Sequence, residues 1–180
     1  MSIPLDIVKV NLCKKVIDAI PKDSVGRYDL LPLFQDKVLF AEIVEYLSMP
    51  YIGNVDYIAA PEAIGWIIGS AMAFKLKTGF IALRKVGKLP YSQNALVIGN
   101  YTDYSGDKAL TIKKNAVITG EKVLLVDEWV ETGETLLCGM KLLHECGYNI
   151  IGMATIGIDY NEKTKDWIET GFIRFIGQNI

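Results

Sequence analysis

A chain of 180 residues is long enough to bury one substantial core, and its formal charge of −2 excludes the basic excess of a general nucleic-acid binder. Apolar residues make up 51%, yet no run of 18 apolar residues occurs and the start, Met1 to Asp6, carries no basic leader. A cytoplasmic location is expected, with no membrane contact and no direct nucleic-acid binding. Cys13, Cys138 and Cys146 show no C-x-x-C spacing and no histidine cluster, which points to reduced thiols rather than a disulfide or metal framework.

In chain order, Leu5, Val8, Leu12, Val16 and Ile20 recur at spacings of three and four and predict an amphipathic helix ending near Pro21. A polar loop, Pro21 to Asp29, leads to Leu30-Leu-Pro-Leu-Phe34, and Asp36 is placed to cap a helix running to about Leu47. Val55 to Ala60 reads as a strand and Glu62 to Lys77 as a helix, stopped by Gly79 before a strand at Phe80 to Leu83. Residues 85–108 are rich in Gly, Lys, Asn, Asp and Tyr and read mostly as loop, with Ala95 to Ile98 the one strong strand inside them and Ala109 to Ile112 a short strand after them. Val123 to Val126 is a run of four apolar residues, the pattern of a strand buried on both faces. A helix from Thr135 to Cys146, a strand from Ile150 to Ile158, a short helix from Glu162 to Glu169 and a strand from Phe172 to Ile176 complete the chain. Strands alternating with helices predict an α/β fold with a parallel sheet covered on both faces, and the absence of repeats or a linker predicts a single domain over residues 1–180.

The chemistry concentrates after that central strand. Asp127 and Glu128 stand at its end, followed by the turn Thr132-Gly133-Glu134-Thr135 and a helical pattern. Unpaired N–H groups at a helix start and the helix dipole favour an anion there, and the threonine hydroxyls add donors. Strand-end carboxylates suit sugar hydroxyls or a hydrated Mg²⁺. A phosphorylated sugar fits this arrangement; a plain capped turn with ordinary first-turn acids is the alternative. Trp129 reads as core filler, Asp159-Tyr-Asn-Glu162 as a turn, and His144, the one histidine, receives no role.

Val-Leu-Leu-Val-Asp-Glu-x-x-x-Thr-Gly-x-Thr, residues 123–135, resembles the signature of type I phosphoribosyltransferases, which use 5-phosphoribosyl-1-diphosphate. Thr78 to Pro90, with Arg84-Lys85 and Gly87-Lys-Leu-Pro90, and Tyr28 to Leu33 are similar to segments of the adenine-type branch. The resemblance implies that family's α/β sheet flanked by helices, a small N-terminal hood, and a flexible catalytic loop at Asn100 to Gly106. It also implies a Mg²⁺-dependent enzyme, working as a homodimer, that joins a nucleobase to phosphoribosyl diphosphate and releases diphosphate. By the same resemblance Asp127 and Glu128 contact the ribose and the metal, Thr132, Gly133, Glu134 and Thr135 the 5-phosphate, and Arg84, Lys85 and Lys88 the diphosphate.

Four positions depart from the adenine-type pattern. Ile64 stands where an arginine usually precedes the helix-opening glycine, and Tyr104 aligns with the loop glutamate that handles the base proton. Asp103 beside it is expected to point the other way along a strand-like segment. Glu131 and Glu134 replace small residues in the turn. Glu131 matches the acid that faces the imidazole nitrogen in hypoxanthine-type relatives, so the acid–base group is expected to have moved there. Glu134 is expected to contribute its backbone N–H while its side chain turns to solvent. The departures also admit an alternative, a non-catalytic regulatory protein that binds phosphoribosyl diphosphate or a nucleotide.

Overall fold

The computed structural model describes residues 5–21, 28–114 and 120–179. Three helices open the chain: α1 (Leu5–Ala19), α2 (Leu31–Gln35) and α3 (Lys37–Ser48). The capping residue expected at Asp36 is there, its carboxylate accepting from the Val38 and Leu39 N–H groups at 2.9 and 3.1 Å. These two bonds favour the ionised form and hold the Asp36 carboxyl below its ordinary range. The part of the polar loop at residues 22–27 lies outside the described residues.

Strand β1 (Tyr57–Pro61) leads to α4 (Gly65–Leu76), then β2 (Gly79–Lys85), β3 (Leu96–Asp103), β4 (Gly106–Lys113), β5 (Lys122–Val130), α5 (Glu134–Glu145), β6 (Asn149–Ile158), α6 (Lys165–Glu169) and β7 (Ile173–Gln178). They form one seven-stranded sheet in the order β3-β4-β2-β1-β5-β6-β7. Its centre is parallel, as expected, but β4 runs antiparallel to both β2 and β3, so the sheet is mixed. The difference lies in the stretch read mostly as loop. Burial along the first half of β3 alternates, the mark of a strand with one wet face. A two-residue turn, Tyr104-Ser105, reverses the chain because Asp103 pairs with Gly106, whose φ of +107° suits glycine. The helix expected from Glu62 begins instead at Gly65, leaving Glu62 in the turn above β1.

Strand β5 organises both cores. Leu124 and Val126 face a cluster built from α1, α3 and α4, including Leu12, Val16, Ile43, Leu47, Ile68 and Met72. Val123 and Leu125 face the opposite cluster of α5 and the β3–β4 hairpin, with Val97, Leu110, Leu136, Leu142 and Leu143. All four strand residues are fully buried, each contributing about 2 kcal/mol of apolar burial. The period of two therefore sends neighbouring residues into different cores and fixes where the acids after Val126 emerge.

Candidate functional site

A cavity of about 230 Å³ opens at the C-terminal ends of the parallel strands, where α/β sheets usually bind ligands. Asp127 and Glu128 line it together with Trp129, Glu131, Thr132, Gly133 and Thr135. Pro61, Glu62, Ile64 and Lys85 face them from the β1 and β2 ends, and Tyr101, Asp103, Tyr104 and Lys108 from the hairpin. Tyr28, Leu30, Val130, Leu136 and Asp159 complete the lining.

Asp127 is only 6% exposed, and its Oδ1 accepts the Glu128 N–H at 2.9 Å. The first residue of α4 is a glycine at the point where the acids come closest. A Cβ on Gly65 would lie 2.9 Å from Asp127 Oδ1 and 3.4 Å from Glu128 Oε2. The strand-end acids thus rest against a helix start that has no side chain to hold them off.

In the turn, Gly133 takes φ +83°, a left-handed conformation that other residues adopt at a cost, and Thr132 Oγ1 accepts the Glu134 N–H at 3.4 Å. Beneath Gly133 the Trp167 ring would meet an added Cβ at 3.3 Å. Thr135 hydrogen-bonds the Tyr101 hydroxyl; burial raises that phenol's pKa, and the Thr135 bond opposes the rise. Glu134 does not line the cavity, and its carboxylate is paired with Lys163 rather than pointing free into solvent.

Of the three cations expected near a diphosphate, the structure brings only Lys85 to the cavity. The Arg84 Nε lies 3.3 Å from Glu62 Oε2 and its Nη1 donates to the Lys88 carbonyl at 3.1 Å, with the guanidinium 5.2 Å from the Trp66 ring. Glu62 Oε1 also accepts the Lys85 N–H at 2.7 Å. Arg84 does not line the cavity, because successive residues of β2 point to opposite faces, and Lys88, beyond the end of β2, does not line it either.

Lys108, at the end of the stretch whose composition reads mostly as loop and not singled out by any motif, lines the cavity and pairs with Asp103. Burial alone would push the Asp103 carboxyl up, but Lys108 and Ser105 hold it below its ordinary value. Asp103 does not point away as expected: it and Tyr104 both line the cavity, since Tyr104 lies in the turn beyond the last residue of β3.

The other end of the cavity is aromatic and acidic. Trp129 packs against the core as expected, yet it also lines the cavity, with its ring 4.5 Å from Tyr28 and tilted by 43°. Its ring lies against Gly157, where an added Cβ would come within 2.2 Å of it. Asp159, read from sequence as part of a plain turn, stands beside Glu131. Burial pushes the Asp159 carboxyl above its ordinary value, the Glu131 charge pushes further, and a hydrogen bond from Trp129 opposes both. Asn161 fixes the local backbone by donating to the Glu131 carbonyl at 2.8 Å.

A sequence model of the phosphoribosyl transferase domain matches residues 35–176. The chain belongs to the phosphoribosyltransferase family. Adenine phosphoribosyltransferase of Bordetella avium is 35% identical to this phosphoribosyltransferase over 153 residues, 84% of this chain and 82% of that protein. Among solved structures, the adenine phosphoribosyltransferase of Thermoanaerobacter pseudethanolicus superposes with a TM-score of 0.78 at 27% identity, covering 92% of this chain and 99% of that one. The Giardia lamblia enzyme, solved with 9-deazaadenine, gives 0.80 over 93% of this chain and 98% of that one; at 20% identity this shows the fold alone. The fold implied by residues 123–135 and 78–90 is the fold observed.

Proposed function

We infer that this chain is a purine phosphoribosyltransferase, a single domain over residues 1–180 that joins a purine to 5-phosphoribosyl-1-diphosphate. The C1–O bond to the diphosphate breaks and its electron pair leaves with the diphosphate. A C1–N bond forms, and the N–H proton of the imidazole ring passes to Glu131. One observation carries the reading: both strand-end acids, the Thr132–Thr135 turn, Lys85 and Glu131 share one cavity in a chain that matches adenine phosphoribosyltransferases along most of its length.

In this scheme the turn's N–H groups and the Thr132 and Thr135 hydroxyls bind the 5-phosphate, with Glu134 contributing through its backbone. Asp127 and Glu128 orient the ribose hydroxyls, and Lys85 offsets charge developing on the diphosphate. Arg84 and Lys88 act behind it, since Arg84 holds the Glu62 turn and the Lys88 carbonyl. The Tyr28–Trp129 pair gives the base an aromatic wall, and Glu131 attends its proton.

Asp127 and Glu128 also fit Mg²⁺. Among the described residues there is no cluster of three or more side chains able to hold a metal, but Mg²⁺ commonly takes one or two carboxylates and completes its shell with water and substrate oxygens. When bound, it supplies positive charge against the diphosphate.

A homodimer in the cytoplasm belongs to the same inference. Phe74 at 88% and Ile52 at 62% exposure offer apolar contact area, and no described helix is long and apolar enough to cross a membrane. Light scattering tests the dimer.

The activity is tested by incubating the protein with phosphoribosyl diphosphate, Mg²⁺ and adenine, hypoxanthine or guanine. Nucleotide and diphosphate are expected in equal amounts, adenine being tried first because the relatives are named for it. Ile64 and Tyr104 are the residues that would suit a binding-only protein, and no nucleotide from any base would overturn the enzyme reading. Glu131→Gln should lower kcat by about 10²- to 10⁴-fold, the usual contribution of a positioned acid–base group. Undiminished turnover would remove Glu131 from the mechanism.

A further inference from the structure

Glu134 puts a carboxylate into the turn that this reading assigns to a phosphate, and the protein has an answer to it in another segment. The chain from Asp159 to Trp167 folds against the back of the turn. Asn161 Nδ2 donates to the Glu131 carbonyl at 2.8 Å, and Asn161 Oδ1 accepts the Lys163 and Thr164 N–H groups at 2.9 and 3.2 Å. Thr164, fully buried, donates from Oγ1 to the Asp159 carbonyl at 2.6 Å, while its methyl and the Trp167 ring pack under Gly133. This frame delivers the Lys163 ammonium onto the Glu134 carboxylate. Nearby Lys165 is already paired with Glu162 at 2.6 Å, so among the described residues Lys163 is the one cation within ion-pair reach of Glu134.

The two side chains are 48% and 24% exposed, and an ion pair that wet contributes little to folding. Its effect on a ligand is another matter. A carboxylate beside a phosphate dianion repels both of its charges, and a cation fixed on that carboxylate cancels most of the field before the ligand arrives.

We propose that Lys163 is a positioning residue for the phosphate site: it neutralises Glu134, so that the Thr132–Thr135 turn accepts a sugar phosphate despite the acid within it. The proposal rests on the assignment of the turn to the 5-phosphate.

The test compares the parent with Lys163→Met and with Lys163→Met/Glu134→Gln, measuring phosphoribosyl diphosphate affinity by calorimetry with Mg²⁺ and, separately, steady-state constants for both substrates. Lys163→Met is expected to weaken phosphoribosyl diphosphate binding about tenfold at low salt, and less at high salt where the field is screened. Its melting temperature should stay within about 3 °C of the parent. The KM of the base should move less than twofold, and the double substitution should restore affinity to within about threefold of the parent. Unchanged affinity in Lys163→Met overturns the proposal. So does a double variant as weak as the single one, because the lysine would then be binding phosphate itself or merely holding the loop. A parent that does not bind phosphoribosyl diphosphate at all overturns the functional reading beneath it, an outcome distinct from either.

Discussion

Gly65→Ala isolates the seating of the strand-end acids. Gly65 is not in the left-handed region, so alanine is conformationally allowed and the effect is steric. The new methyl would sit 2.9 Å from Asp127 Oδ1, with Glu128 Oε2 and Pro61 Cδ at 3.4 Å. Restoring ordinary contact requires the Asp127 carboxylate to retreat by about half an ångström. Asp127 is 6% exposed and uses that same oxygen to accept the Glu128 N–H at 2.9 Å, so retreat strains a hydrogen bond to a charged group worth about 1.5–3 kcal/mol. Alanine's better helix propensity offsets at most about 1 kcal/mol, and less at the first helical residue. Stability is therefore expected to fall by about 1 kcal/mol, or about 2–4 °C in melting temperature. The proposed ribose contact of Asp127 should lose more, because that carboxylate must shift away from the sugar while Glu128, already at ordinary contact distance, need not. A loss of about 2 kcal/mol in the transition state corresponds to about thirtyfold in kcat/KM for phosphoribosyl diphosphate. Steady-state kinetics alongside calorimetric melting separate the two effects. A kcat/KM within twofold of the parent would refute the claim that these acids must approach the start of α4 to act.

The pH dependence of Asp159 gives a second prediction. Its folded pKa lies above the ordinary 3.8, so the folded state binds that proton more tightly and the resulting stability is lost as pH rises through the folded value. Asp159→Asn should therefore melt higher than the parent at about pH 8, with the gain shrinking toward about pH 4; a gain independent of pH would refute the burial argument. Gly157→Ala places a Cβ within 2.2 Å of the Trp129 ring, and overpacking of about 1–3 kcal/mol should lower the melting temperature by about 5 °C. An unchanged melting curve would show that the ring does not rest on β6. Finally, Lys85→Met should raise the KM for phosphoribosyl diphosphate at least fivefold more than Lys88→Met, because Lys85 lines the cavity and Lys88 does not. Equal effects would show that facing the cavity does not set Lys85 apart from Lys88 in diphosphate binding.

The parts of the fold that were legible in sequence share one property: their pattern is produced by burial in a single neighbourhood. Val123 to Val126 is apolar without a break because both faces of β5 are covered, and Asp36 announces α3 because a cap acts within three residues. The β3–β4 hairpin was legible only at its base, as the short strands Ala95 to Ile98 and Ala109 to Ile112; toward its tip the outer face is wet and residues such as Asn100, Thr102 and Asp107 have the composition of a loop. Within the site, Asp127 to Thr135 could be read because they are contiguous. Asp159 could not, because its place beside Glu131 follows from the parallel register that pairs Val130 with Ile158. Arg84 and Lys85 show the converse limit. Composition groups them, and the alternation of β2 separates them.

Charge pairing gives so acidic a cavity a way to receive a substrate as anionic as the proposed phosphoribosyl diphosphate. Glu62 is held by Arg84, Asp103 by Lys108 and, at the turn, Glu134 by Lys163. Asp127 is buried against the backbone N–H of Glu128. Glu62, Asp103, Glu134 and Asp127 are thus each matched by a cation or a fixed donor, Glu128 is left to the ribose and Mg²⁺ of the proposed complex, and Lys85 adds positive charge at the cavity. Glu131 lies at the base end of the proposed complex. Among the described residues it has no cation within ion-pair reach, and its neighbour is another carboxyl, Asp159, whose proton affinity its charge raises. In the proposed scheme the cavity therefore has a charge-paired end for the phosphates and an acidic end, Glu131 beside Asp159, for the base nitrogen, so an acid moved from the hairpin to the turn can serve the base without repelling the sugar phosphate.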